Sequence, residues 1–285
     1  RFLRTPHTRT AARRPRMLRR KNPIQGDDDI EFDAKKHVYT VRGKVVPISV
    51  TKLISRDAVP PEHRFDGKAV ILKNLRSWRA NASSKYHSLV AGVDEENAIK
   101  NVLKHWKDNA ASGTAMHAFI EDTLNGKEIH PVGFEGEMEQ FRAAMDSLGD
   151  RMVPARTELS VFVTNAEGDP VVAGQIDLLL KDKEGGYHLV DFKRTATDLS
   201  PNAFSYGKRF LNGVFLNDHH KYSLQLSLYR VMFEAQTGLK IVDDPRILQI
   251  HPDLDGYQFT TATDLTKEAR ELLRGQGMVM PEQEL

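Results

Sequence analysis

Thr157-Glu158-Leu159-Ser160-Val161-Phe162-Val163, Val171-Val172-Ala173-Gly174-Gln175-Ile176-Asp177-Leu178-Leu179-Leu180 and Tyr187-His188-Leu189-Val190-Asp191-Phe192-Lys193 are three short apolar runs rich in β-branched residues. Gly168-Asp169-Pro170 and Glu184-Gly185-Gly186 punctuate them with turn chemistry. Strands joined by such short turns form an antiparallel meander, so this stretch is the middle of a sheet. Outward from it the period changes. Residues 134–148 place Phe134, Met138, Phe141 and Met145 on one helical face, and residues 219–236 read as a long helix. Arg246–His251 and Tyr257–Thr261 read as further strands, and Asp264–Arg274 as a closing helix.

Towards the N-terminus, Ile30–Phe32, Val38–Val41 and Lys44–Ile48 read as short strands, the last two joined by a tight turn at Arg42-Gly43. Ser49 is placed to cap a helix starting at Val50. Helical material is expected from Pro61 to Ala80, from Glu95 to Asp108 and, after a break at Ser112-Gly113, on to Leu124. Helices, a meander, a helix and more strands give a mixed α/β (α+β) fold, with a central mixed sheet flanked by helices and an N-terminal β-hairpin and helical extension. The expected organisation is a disordered basic segment over residues 1–28 and a single domain over 29–285. Its helical part is 50–150 and its core 151–262.

Composition narrows the chemistry. The chain has no cysteine, which excludes disulfides, thiolate zinc sites and iron–sulfur clusters. A metal would sit on oxygen and imidazole, which favours magnesium or manganese. No apolar run approaches the length needed to cross a bilayer, so no membrane partner is expected. Residues 1–26 hold eight Arg, one Lys and no acid, leaving 32 of the 41 basic residues against 39 acidic ones in the body. This Arg-rich, acid-poor start suits a mitochondrial or other organelle transit peptide; a basic tail touching nucleic acid is the alternative.

Asp177 sits among Ile176, Leu178, Leu179 and Leu180, and Asp191 lies between Val190 and Phe192. A carboxylate in such company is costly unless paired, and a shared divalent cation would pair both. Asp191 and Lys193, two apart, face one side of their strand while Phe192 faces the other. In a hairpin, Asp177 falls opposite the Asp191 region, so two carboxylates and an ammonium converge. Such a set suits metal-assisted phosphodiester hydrolysis. An Asp-Phe-Lys tripeptide by itself is common and is better explained as a surface ion pair on an edge strand.

Further motifs accompany it in order. Gly113-Thr114-Ala115-Met116-His117 lies on a helix with Glu121 one turn on; Gly174-Gln175-Ile176-Asp177 and Asp191-Phe192-Lys193 follow, then Gln225-Leu226-Ser227-Leu228-Tyr229 on the long helix. Together these resemble the RecB-like branch of the PD-(D/E)XK nuclease superfamily over roughly residues 47–262. The resemblance implies a restriction-endonuclease-like core and catalysis by Mg2+ or Mn2+. It implies that His117, Asp177, Asp191 and the Phe192 carbonyl are metal ligands and that Lys193 is the catalytic lysine. Gln225 and Tyr229 would border the site and contact DNA. Glu121 is placed to reach a metal through water, to orient His117 or simply to be solvated, and Glu158 is a candidate further acid. Ile176 stands where the family name has proline. No Gly-x-x-x-x-Gly-Lys-[Ser/Thr] stretch occurs, so no nucleotide cofactor is expected.

His37–Tyr39 and the Ser49-Val50-Thr51-Lys52-Leu53-Ile54 segment resemble the entry of small stand-alone exonucleases of this branch, from bacteriophages and mitochondria. There too a Thr closely follows the Asp-x-Lys, as Thr195 does here. The implied activity is single-stranded DNA exonucleolysis in DNA maintenance, repair or recombination. A structure-selective endonuclease and a catalytically silent nucleic-acid-binding module are the alternatives. Lys68, Lys73, Arg76, Arg79, Lys208, Arg209, Lys221 and Arg230 are candidate phosphate contacts, and Trp78, Trp106, Tyr206 and Phe210 candidate stacking residues. Equally, Trp106 could be core and the cations solvated.

Overall fold

The computed structural model describes residues 17–59, 61, 64–201, 208–210 and 214–279. It opens with α1 (Met17–Lys21) and a small antiparallel sheet of β1 (Ile30–Asp33), β2 (Val38–Val41) and β3 (Lys44–Val45). β4 (Ile48–Ser49) leads into α2 (Val50–Leu53) and a π-helical turn over Ile54–Ala58. The helical extension is α3 (Gly67–Ala80), α4 (His87–Val90) and α5 (Glu95–Leu124), followed by α6 (Glu135–Leu148). Next come β5 (Met152–Thr164), β6 (Pro170–Asp182), β7 (Tyr187–Lys193) and a short hairpin of β8 (Lys208–Phe210) and β9 (Val214–Leu216). The chain continues through α7 (Asp218–Thr237), β10 (Arg246–Gln249), β11 (Gln258–Thr261) and α8 (Thr266–Gly275).

The central sheet is mixed, as expected. β5 and β7 run antiparallel to β6; β10 lies parallel to β7, and β11 antiparallel to β10. One edge of β6 is lined by β5. The other is shared: β4 pairs in parallel with Val172 and Ala173, and β7 pairs with Leu178 to Lys181. Gly174 to Asp177 therefore lie in a gap between two partner strands.

Helices cover both faces. α2, α7 and α8 pack on one through Val50, Leu53, Leu224, Phe233 and Leu272. α5 and α6 cover the other through Met116, Ile120, Met138 and Phe141 against Leu178, Val190, Phe192 and Leu248. Fully burying one such side chain is worth ~1.5–3 kcal/mol. No helix among the described residues is long and apolar enough to cross a membrane.

Local chemistry explains the element ends. Arg42 and Gly43 both take positive φ (48° and 79°), the two-residue turn that joins twisted strands. Asp94 caps α5 by accepting from Asn97 N–H at 2.8 Å, and Gly238 closes α7 in the left-handed region.

Four boundaries differ from the sequence-based expectation. Residues 17–28, expected to be disordered, are packed. Leu18 and Ile24 are buried, and Asp27 pairs with buried Arg156 through two 2.7 Å bonds. Residues 1–16, where most of the expected transit peptide falls, lie outside the described residues. The strand expected over Lys44–Ile48 divides at Pro47, which has no N–H to give a ladder, and its second half joins the central sheet. The helix expected from Pro61 starts at Gly67, where Asp66 caps it by accepting from Ala69 N–H. The expected break at Ser112-Gly113 does not occur. α5 is one 30-residue helix, anchored by Ala98 and Val102 against α3 and α4 and by Met116 and Ile120 against the sheet. Two anchors outweigh a mid-helix glycine that costs ~1 kcal/mol.

Candidate active site

The site forms where β6 loses its partner. Register pairs Leu178 with Val190 and then stops, one step short of Asp177 and Asp191. Phe192 N–H, the next donor of β7, is taken instead by Asp177 Oδ2 at 2.8 Å. A side-chain carboxylate thus replaces a ladder carbonyl, and the two strands part at that point.

Across β6, Thr157 pairs with Leu178 and Leu159 with Ile176, flanking Glu158 and Asp177. Glu158 has φ of 47°, which costs a non-glycine residue ~1–3 kcal/mol and persists only where neighbours over-determine it. Side chains change face there. Ile176 packs on the α7 side and Leu178, two residues on, on the α5/α6 side, where simple alternation would keep them together.

His117 reaches this point from α5. Its Nδ1 is 3.7 Å from Asp177 Oδ2, and its Nε2 is 3.1 Å from the Phe192 carbonyl. Donor atoms of His117, Glu158 and Asp177 all lie within 4.8 Å of one another. One imidazole and two carboxylates at that spacing fit a divalent metal.

Asp191 is buried beside them, with Lys193 Nζ 2.5 Å from its Oδ2. Neither of its carboxylate oxygens completes a hydrogen bond of good geometry. Buried acceptors left with spare capacity are what a cation site requires. Burial pushes Asp191 up to about 6; Lys193 opposes that rise and Asp177 adds to it. Burial works against the Lys193 ammonium, yet Asp191, Asp177 and Tyr222 together raise it above the ordinary lysine range. Its Nζ also stands 4.5 Å over the Tyr222 ring.

The remaining motif residues close one side. Gln225 Nε2 donates to Tyr229 OH at 3.0 Å. Tyr229 is buried, and burial with Asp177 nearby raises its hydroxyl well above the usual range. Its ring lies on Gly174, where an added Cβ would sit 2.6 Å from Tyr229 Cε1. The glycine of one motif is thus the seat for the tyrosine of another. Thr195 is engaged in its own loop, accepting from Thr197 N–H and, through its carbonyl, from Gln249.

The structure brings together His117, Glu158, Asp177, Asp191, Lys193 and the Phe192 carbonyl. Glu121 lies outside the three-residue group, although it has its own partner. Among the candidate nucleic-acid contacts, Arg79 donates to the Val90 and Val93 carbonyls and Trp78 lies tilted against Tyr86 with ring centroids 4.2 Å apart, so both serve packing. Trp106 donates to Tyr86 OH in the same cluster. Lys221 pairs with Asp218, and Arg230 with Glu234. Lys68, Lys73 and Arg76 are exposed. Tyr206 lies outside the described residues.

Tyr222 escaped the sequence reading, and Tyr39 entered it only as part of the N-terminal entry segment. Burial, Glu158 and Asp177 raise the Tyr39 hydroxyl. Tyr222 precedes Gln225 by three and Tyr229 by seven, a helical spacing that places all three on one face.

No family model and no curated protein matches the chain. Among solved structures, SSO0001 is similar at 15% identity, covering 51% of this chain and 59% of that one, with a TM-score of 0.26. A candidate exonuclease from Eubacterium rectale is similar at 12% identity, covering 76% of this chain and 83% of that one, with a TM-score of 0.37. At these scores neither likeness carries a functional argument.

Proposed function

We propose that the chain is a divalent-metal-dependent nuclease of the RecB-like PD-(D/E)XK branch, acting on single-stranded DNA as an exonuclease. The observation that carries this reading is the meeting of His117, Glu158 and Asp177 from α5, β5 and β6 beside the buried Asp191–Lys193 pair. Four motifs, joined by Glu158 from β5, supply that meeting and the wall next to it. In this reading His117, Glu158, Asp177, Asp191 and the Phe192 carbonyl hold Mg2+ or Mn2+. The ion would polarise the phosphodiester and lower the pKa of an attacking water.

The protein's own groups have definite tasks. Lys193, kept protonated by Asp191 and cradled by Tyr222, offsets phosphate charge and orients the water by donating to it. Asp177 holds the Phe192 N–H and His117 the Phe192 carbonyl on the following peptide, so the backbone is gripped on both sides of Phe192. Gln225 and Tyr229 hold the α7 wall against Gly174. Transport to an organelle by the Arg-rich N-terminus belongs to the same proposal. Cleavage before Met17 would leave the packed segment whole.

Linear and covalently closed single-stranded DNA separate the readings. An exonuclease degrades the linear form in Mg2+ or Mn2+ and leaves circles intact. Circle cleavage would favour the structure-selective endonuclease; binding without cleavage of either would favour a silent module.

A further inference from the structure

The three clustered donors belong to three elements: Asp177 lies on β6, and His117 and Glu158 come from α5 and β5. Their separation depends on how the end of α5 is fixed to that strand. Besides the packing of α5 on the sheet, a side-chain hydrogen bond from one residue joins them. Asn125, the C-cap of α5, is buried and uses its whole amide. Nδ2 donates to Thr157 Oγ1 at 2.9 Å and to the Glu121 carbonyl at 2.8 Å, while Oδ1 accepts from Leu18 N–H at 3.2 Å. Both amide hydrogens and the carbonyl oxygen are thereby committed. Thr157 immediately precedes Glu158, and Asn125 stands eight residues past His117, ~12 Å along the helix at 1.5 Å per residue.

The same short stretch of β5 is gripped from the N-terminal side. Asn22 Nδ2 donates to the Ala155 carbonyl at 3.0 Å. Arg156 forks onto Asp27 and also donates to the Asn22 carbonyl at 3.2 Å. Gln175 Nε2 donates to the Glu158 carbonyl at 3.1 Å from across the ladder. Residues 155–158 are each held by a polar contact, immediately before and at the left-handed Glu158.

From this we infer that Asn125 is a positioning residue for the metal site, and that its bond to Thr157, backed by the Asn22–Asp27 segment, sets the reach of Glu158 towards His117. The inference rests on the metal-site reading above. It makes residues 17–28 a working part of the site. Polar groups that orient metal ligands from behind typically change metal affinity 10–100-fold when removed.

The test is Mn2+ titration of the full chain, followed by electron paramagnetic resonance with the metal alone as probe. Thr157→Val keeps the branched strand side chain and deletes only the acceptor for Asn125. Thr157→Ser restores it. Thr157→Val is expected to weaken Mn2+ binding about tenfold or more, and Thr157→Ser to bind as the wild type does. Circular dichroism establishes that each is folded. Asn125→Ala should weaken binding further, but the claim does not depend on its folding. A folded Thr157→Val variant with wild-type Mn2+ affinity overturns the positioning role, because a purely structural bond would alter stability alone. A wild-type chain that binds no Mn2+ overturns the metal site itself, and this inference with it.

Discussion

Replacing Gly174 with Ala tests the contact that joins two of the motifs. The new Cβ would stand 2.6 Å from Tyr229 Cε1 and 2.9 Å from Val50 Cγ2. Ordinary carbon contacts lie at 3.5–4.0 Å, so both overlaps approach an ångström. Relief requires movement of α7, α2 or both. Tyr229 has little room, being buried and held through its hydroxyl by Gln225. Overpacking typically costs 1–3 kcal/mol, and two opposed neighbours put this site near ~3 kcal/mol. Urea unfolding of the wild type, Gly174→Ala, Tyr229→Ala and the double variant measures both the cost and its source. Removing the ring should relieve the Tyr229 overlap but leave that with Val50. The cycle should therefore show a favourable coupling of ~1 kcal/mol or more. A loss under ~0.5 kcal/mol for Gly174→Ala, or strict additivity, would refute the argument that the glycine exists to seat the tyrosine.

Other perturbations follow from the same geometry. Asp27→Ala strands the Arg156 guanidinium, itself buried, and should cost ~3–5 kcal/mol in denaturant melts; a loss below ~1 kcal/mol would mean the N-terminal segment is not docked. Glu158→Gln and Asp177→Asn should each weaken Mn2+ binding by at least tenfold in calorimetric titrations. Unchanged affinity for Glu158→Gln would remove it from the ligand set. His219 is held neutral, its pKa lowered chiefly by burial, with Leu199 and Thr263 as hydrogen-bond partners. The unfolded chain then takes up that proton first, so the contribution is complete above ~6.5 and is lost as pH falls through the lower native value. His219→Gln should flatten the stability profile below pH ~6.5; an unaltered slope would show that His219 does not titrate between the two states.

Much of this was legible in the sequence because period and turn chemistry act locally. The meander, the Arg42-Gly43 turn and the Ser49 cap each depend on a few adjacent residues. That Asp177 falls opposite the Asp191 region followed from hairpin pairing, although the ladder itself stops one step short of the two acids. Long-range packing was less accessible. A break at Ser112-Gly113 is the local preference, but anchors at both ends make α5 continuous. The basic composition before Asp27 suggested disorder, whereas Ile24 joins the main core and Leu18 and Asp27 find partners more than a hundred residues away. Glu158 read equally well as an outward strand residue. Its left-handed backbone and the change of face beside it arise from contacts with β6 and leave no periodic trace.

The most direct test of the central claim is cleavage of end-labelled single-stranded DNA by the full chain, in Mg2+ or Mn2+ and in excess chelator, with Lys193→Ala as the matched protein. The account predicts loss of label with metal only, and turnover reduced by ~10²-fold or more in the variant, which still folds and binds DNA. Intact label in both metals, from a wild-type chain shown to be folded and to bind DNA, would contradict it, as would equal turnover by Lys193→Ala.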